Sequence, residues 1–282
     1  MANVTTTTSN VFRATVVSKE ALVARENALV LANLVKRYDR DTSGGVKAID
    51  IGTVSNLTAV QKQADSALTF AATTETKVTI NLDQYWAVPL LIEDISEIQS
   101  AIDLASAYSE KAGYGIAEKI DAYIGAAMKA GFTTNVVGTF GSALTYANIR
   151  SAKLKLDVAK APQKDRVFVV TAKGHDDLLG IAEFTQYQLN SNSDNKNAFN
   201  SGKVGYILGM EVFMSTNLPL VAGTPDNNSC FMFHKEAYAL AVQKDVTVRK
   251  QFVIEHLGDA IVASAIWGGT VLREDHGVHV RC

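Results

Sequence analysis

Only two cysteines occur in the 282 residues, Cys230 and Cys282, too few for a disulfide framework. No apolar run approaches the roughly 18 residues that a membrane helix needs. The start, MANVTTTTSN, has neither a basic cluster nor a hydrophobic stretch followed by a cleavage site, so nothing points to secretion, and cytoplasmic synthesis is expected. Charge of one sign is equally scarce: 27 lysines and arginines stand against 29 acids, a formal net charge of -2. A domain that grips nucleic acid normally carries a basic excess or stripe, whereas here both signs are scattered along the whole chain. At 47% hydrophobic and 20% charged, the chain has enough apolar material for a real core, in one large domain or two lobes.

Catalytic signatures are missing as well. There is no GxxxxGK phosphate loop, no GxSxG elbow, no HExxH, and no GxGxxG between a strand and a helix. Gly202, Gly205 and Gly209 have the wrong spacing to cradle phosphate. His276 and His279, beside Glu274 and Asp275, are of types that suit zinc or manganese, but no further ligand accompanies them. Asp176 and Asp177 read as acids favoured by a helix start, and Cys230, followed by Phe231 and Phe233, reads as a small buried hydrophobe. No catalytic, cofactor-binding or metal residue is therefore assigned. A small-molecule enzyme would need a nucleophile, base or metal constellation that the sequence does not display.

What is present is helix and strand pattern. Asp94 to Ala130 reads as one helix, with Ile95, Ile98, Ile102, Ala105, Ala112, Ile116, Ile120, Ile124 and Ala127 on one face. At about 1.5 Å per residue it would run on the order of 50 Å, against a radius of gyration of about 19 Å for a compact chain of this size. Asp94 or Ser96 caps its start, and Gly131 is expected to close it in a left-handed conformation. Gly113, Gly115 and Gly125 inside it imply close backbone packing or a built-in bend.

Before that helix, Ala28 to Val35 is apolar nearly all round, which suits a core helix or one lying against another subunit. Strands around Ile49–Ile51 and Val78–Leu82 then flank a polar, alanine-rich stretch and describe an extended hairpin that needs a partner to rest on. After the long helix come a helix from Tyr146 to Lys160 capped by Thr145, the strand RVFVVTA, and a short helix around Asp176 to Glu183. A solvated loop from Asn190 to Lys203 follows, then two strands about Gly209. The last third is strand-rich, with Gly258 and Gly268–Gly269 marking turns or bulges. Its strands are expected to pack on the long helix, in an α+β fold whose early and late segments share one sheet.

This order of parts resembles the major capsid protein of tailed double-stranded DNA bacteriophages, the Hong Kong 97 type fold. The echoes are LIEDISEIQS leading into the long helix, AEKIDAYI near its end, VGYILGMEVFMSTNLP, and the closing GDAIVASAIWGGTVLREDHGVHV. The resemblance implies an N-terminal arm (1–45), an extended loop (46–90), a peripheral domain with the spine helix (91–144), an axial α/β domain (145–225) and a strand-rich return (226–282). It also implies a non-enzymatic virion protein, made in the host bacterial cytoplasm, whose pentamers and hexamers close an icosahedral shell around double-stranded DNA without sequence-specific binding. With only about 45 residues before the loop, a separate scaffolding protein is expected, together with a portal and a possible cement protein. An encapsulin-type compartment enclosing a cargo enzyme is the alternative on the same fold.

Overall fold

A computed structural model describes residues 30–42, 45–54, 59–62, 64–65, 67, 75–93, 104–181, 203–220 and 227–282. Its centre is helix α2, Leu104–Gly131, whose 28 residues run about 42 Å. The expected first turns, from Asp94 to Asp103, lie outside the described residues. Ala112, Ile116, Ile120, Ile124 and Met128 form its buried stripe, three and four residues apart.

That stripe packs on a four-stranded sheet of order β1-β10-β11-β4. β10 (Tyr238–Val253) and β11 (Gly258–Val271) form a long antiparallel hairpin. Two early segments flank it: β1 (Lys36–Arg37) pairs parallel to Ala239 and Leu240, and β4 (Gln84–Glu93) pairs along β11 from Gly258 to Trp267. Early and late sequence thus share one sheet, as the pattern predicts. Pro89 is tolerated because β4 is an edge strand, where a missing N–H breaks no ladder. Ala263, Ala265 and Trp267 alternate inward onto the helix.

A six-stranded sheet of order β5-β12-β9-β6-β8-β7 forms the second layer system. It comprises β5 (Val136–Val137), β6 (Arg166–Val170), β7 (Lys203–Ile207), β8 (Met210–Met214), β9 (Ser229–His234) and β12 (Gly277–Arg281). RVFVV and CFMFH are apolar without alternation because both faces are covered. Val167, Val169, Phe231 and Phe233 face the α2 core, while Phe168, Val170, Cys230 and Met232 face helices α3 (Tyr146–Val158) and α4 (Ala172–Leu179). Buried Arg166 fastens α3 to β6 by donating to Asp157 at 2.6 Å, Ala161 O at 2.6 Å and Pro162 O at 2.8 Å.

Several expectations need correction. The short helix begins four residues early, at Ala172, because the Thr171 hydroxyl accepts from Gly174 N–H at 3.2 Å and caps it there. Asp176 and Asp177 therefore sit late in that helix, not at its start. Asp177 accepts the Leu144 N–H at 2.8 Å and so ties α4 to the segment before α3. Gly131 is the last helical residue and is not left-handed; a methyl there would collide with Val271. Gly258 directly follows the β10–β11 turn, as expected, and admits the backbone of Ile92–Glu93, whereas Gly268 lies inside β11 and admits that of Asn81–Leu82. The bulge is instead on β10 between Val242 and Thr247, where Asp39 accepts the Val242 N–H at 2.9 Å. Of the three helix-interior glycines, Gly125 packs closely, against Pro219 and Leu31, whereas an added methyl at Gly113 or Gly115 meets no tight contact.

Helix α1 (Leu31–Leu34) answers the question left open for the N-terminal apolar segment. Leu31 and Val35 are buried in this subunit's own core against α2, so this part is a core helix. Residues 1–29 and the polar loop at 190–202 lie outside the described residues.

Candidate assembly surfaces

β2 (Ala48–Val54) and β3 (Glu75–Asn81) pair only with each other, in register from Ala48–Asn81 to Val54–Glu75. The root of this ribbon is seated: Ile80 and Leu82 are buried on Ala239 and Ala241, and Leu82 N–H donates to Lys47 O at 3.0 Å. Along β2, exposed and half-buried residues alternate, and Val54 is 70% exposed. Two of the ribbon's charges are paired locally, Asp50 accepting from Lys77 at 2.7 Å, and Asp50 also accepts from Thr79 at 2.5 Å. Such exposed pairs orient side chains more than they stabilise. From Gln84 onward the chain belongs to the four-stranded sheet.

The far end of the β10–β11 hairpin is a second apolar surface. Phe252, Ile254 and Leu257 surround its turn, with Ile254 79% and Leu257 67% exposed. Beneath it, Lys250 pairs with Asp259 at 2.8 Å. A third surface is a groove of about 670 Å³ where the ribbon residue Thr53 approaches Leu154, Val158 and Leu272, with Arg273 and Glu274 at its rim. Leu154 and Val158 lie 62% and 73% exposed on the outer face of α3. The β10–β11 turn and the outer face of α3 thus each leave large apolar side chains in solvent.

The sequence-singled histidines and acids do not meet as one centre. Glu274 accepts from the hydroxyls and N–H groups of Thr134 and Thr133 at 2.6 to 3.0 Å, which holds its carboxyl down to about 2. The His279 ring stacks on Phe231 at 5.3 Å, and His276 faces His234 edge-on at 6.1 Å. Among the described residues no three His, Cys, Asp or Glu side chains group as metal ligands. No described helix is long and apolar enough to cross a membrane.

Sequence reading missed Asp121. It is fully buried on the apolar side of α2 and accepts the N–H groups of Val30 at 2.8 Å, Leu31 at 3.3 Å and Ala32 at 3.0 Å. Burial pushes its pKa up, against the lowering effect of the three donors. The available signal was an acid next to Ile120 in an otherwise apolar stripe.

Burial also holds His279, His234 and His276 below the ordinary imidazole value, His279 at about 4. A folded pKa below the unfolded one means that stability is complete above about pH 6.5 and is lost as pH falls toward the folded values. The expected loss between pH 7 and 4.5 from His279 alone is about 2 kcal/mol after solvent screening. Urea melts of the subunit across that range check this, and His279→Leu should flatten the slope. An unchanged slope would show that His279 is not the titrating group.

A family model described as phage capsid protein matches residues 12–282. The chain belongs to the phage capsid protein family. Solved structures agree over nearly the full length. A structure from Mycobacterium phage Che8 is 26% identical with a TM-score of 0.75, covering 95% of this chain and 97% of that one. The capsid of cyanophage P-SCSP1u is 20% identical with a TM-score of 0.73, covering 97% and 93%. The capsid of an empty GTA particle is 14% identical with a TM-score of 0.62, covering 99% of both chains. No curated protein matches. The fold is the Hong Kong 97-like α+β capsid fold, and this capsid protein is a tailed-phage major capsid protein, a structural component of the virion that forms a capsid oligomer.

Proposed function

We propose that this capsid protein assembles into pentamers and hexamers that close an icosahedral shell around double-stranded DNA. The observations that carry the reading are the apolar surfaces that one subunit leaves uncovered at the β10–β11 turn and beside α3, together with a two-stranded ribbon that projects from its root. They lie on different elements, so each can meet a different surface on a neighbour. Contacts of that kind are heterologous and close into rings. In this reading the ribbon is the extended loop, α2 and the four-stranded sheet form the peripheral domain, and the six-stranded sheet with α3 and α4 forms the axial domain. Within the stretch 1–45 proposed as the N-terminal arm, Leu31 and Val35 are buried in the subunit's own core.

The shell contains its DNA without gripping it, in keeping with a net charge of -2. The work is structural and non-catalytic. A separate scaffolding protein, a portal and a cement protein are the partners proposed, and synthesis takes place in the host bacterial cytoplasm. Size-exclusion chromatography with light scattering on the purified protein, followed by negative-stain microscopy, is expected to show capsomers or megadalton particles. A monomer that persists at tens of micromolar, with and without a scaffolding partner, would overturn the proposal.

A further inference from the structure

The chain's only two cysteines, 52 positions apart, are brought together by the fold. Cys230 lies in β9 and Cys282 directly follows β12, and antiparallel pairing of those strands places the two sulfurs 3.6 Å apart. Both are free thiols and both are buried. Cys282 is held in register by Asn228, which donates to the Cys282 carbonyl at 2.7 Å and accepts the Cys282 N–H at 3.2 Å. The sulfurs are therefore neighbours by strand register and not by chance approach of two loops.

We propose that Cys230 and Cys282 form a redox site, which a small-molecule disulfide oxidises to an intramolecular disulfide fastening β12 to β9. Both sulfurs are buried, so the step begins with an opening at the end of β12 that admits the oxidant; one thiol, as its thiolate, then attacks the small disulfide and expels one small thiol, leaving a mixed disulfide. The second cysteine then attacks the protein sulfur of that intermediate and expels the other small thiol. The protein loses two electrons and two protons, and the oxidant becomes two thiols. A sulfur–sulfur bond of about 2.05 Å requires the pair to close by about 1.5 Å. Cys230 stands opposite Val280, two residues before Cys282, so closure combines side-chain rotation with a shift of the Cys282 backbone against its ladder with Asn228.

The compartments set the direction. A reducing cytoplasm keeps the thiols apart, and an oxidising exterior favours the bond. The cross-link would enclose the whole β10–β11 hairpin in a loop, and loops of that length restrict the unfolded chain strongly. The chemistry does not depend on assembly, so its test can fail while the capsid reading stands.

The experiment exposes purified protein to oxidised glutathione, then alkylates it in denaturant and measures its intact mass. The expected product is lighter by two hydrogens, takes up no alkylating agent, and melts on the order of 5 °C higher than the reduced protein. Dithiothreitol should reverse all three changes, and Cys282→Ser should show none of them. The mass measurement on the wild-type chain needs no variant to fold. Two alkylated thiols per chain after oxidation, a glutathione adduct that never closes, or disulfides only between chains would each overturn the proposal.

Discussion

Asp121→Ala is expected to lower the unfolding free energy of the subunit by about 3 kcal/mol. Three consecutive N–H groups at the start of α1 end on this carboxylate, at 2.8, 3.3 and 3.0 Å. Val30, which precedes the helix, provides no side-chain cap of its own. A helix of four residues cannot sustain itself, since its first turn costs more order than one hydrogen bond returns. Removing the carboxylate leaves buried donors unpaired, each worth about 1–3 kcal/mol and not additive. It also loosens Leu31 and Val35 from the core.

The matching fall in melting temperature is roughly 6 to 12 °C. Asp121→Asn should recover only part, since one of its two positions becomes a donor facing donors. Urea unfolding followed by the fluorescence of buried Trp267 measures both. An alanine variant within about 0.5 kcal/mol of the wild type would show that Asp121 does not hold the segment.

Excising the ribbon tip is expected to abolish closed particles while leaving a folded subunit. Val54 faces Glu75 in the last strand pair, so a short Gly-Ser turn can join them in place of residues 55–74. The ribbon root on Ala239 and Ala241 stays intact. Loop closure changes by only about 0.6 kcal/mol per doubling of length, so the melting transition should barely move. In a shell each subunit makes this contact once and receives it once, and even an area below the standard interface of about 1,600 Å² is repeated around every capsomer. Circular dichroism melting beside electron microscopy decides: unfolded protein would show that the tip serves the fold, and normal shells would show that it is dispensable.

Periodicity made the large elements legible. The 3.6-residue recurrence of Ile116, Ile120 and Ile124 marks the buried side of α2, the alternation in KVTIN marks the ribbon, and RVFVV marks a strand covered on both faces. Thr145 was readable as a cap because a good helix pattern follows it at once. Competition between local signals hid the rest. Asp176 and Asp177 look like helix-start acids, and only the Thr171–Gly174 hydrogen bond shows that the helix has already begun.

Gly131, Gly258 and Gly268 carry no local sign that they serve close approach, because what they approach, Val271, Ile92 and Asn81, lies far away in sequence. Asp121 and the Cys230–Cys282 contact depend on strand register and on helix docking across long separations, which no residue spacing encodes. The two-stranded ribbon was legible from the alternation in its strands. The apolar turn at Ile254–Leu257 was not, since in sequence it resembles any strand end.

The placement of the late hairpin between two early strands has a consequence for birth on the ribosome. β1 and β4 emerge first but have no sheet to join until β10 and β11 follow, and Ile80 waits for Ala239 to give the ribbon its seat. That separation of about 160 residues takes roughly 8 to 30 s to translate. Throughout that interval the nascent chain carries its future contact ribbon without a platform to hold it. The sheet that seats the ribbon is therefore completed only by the last-made third of the polypeptide.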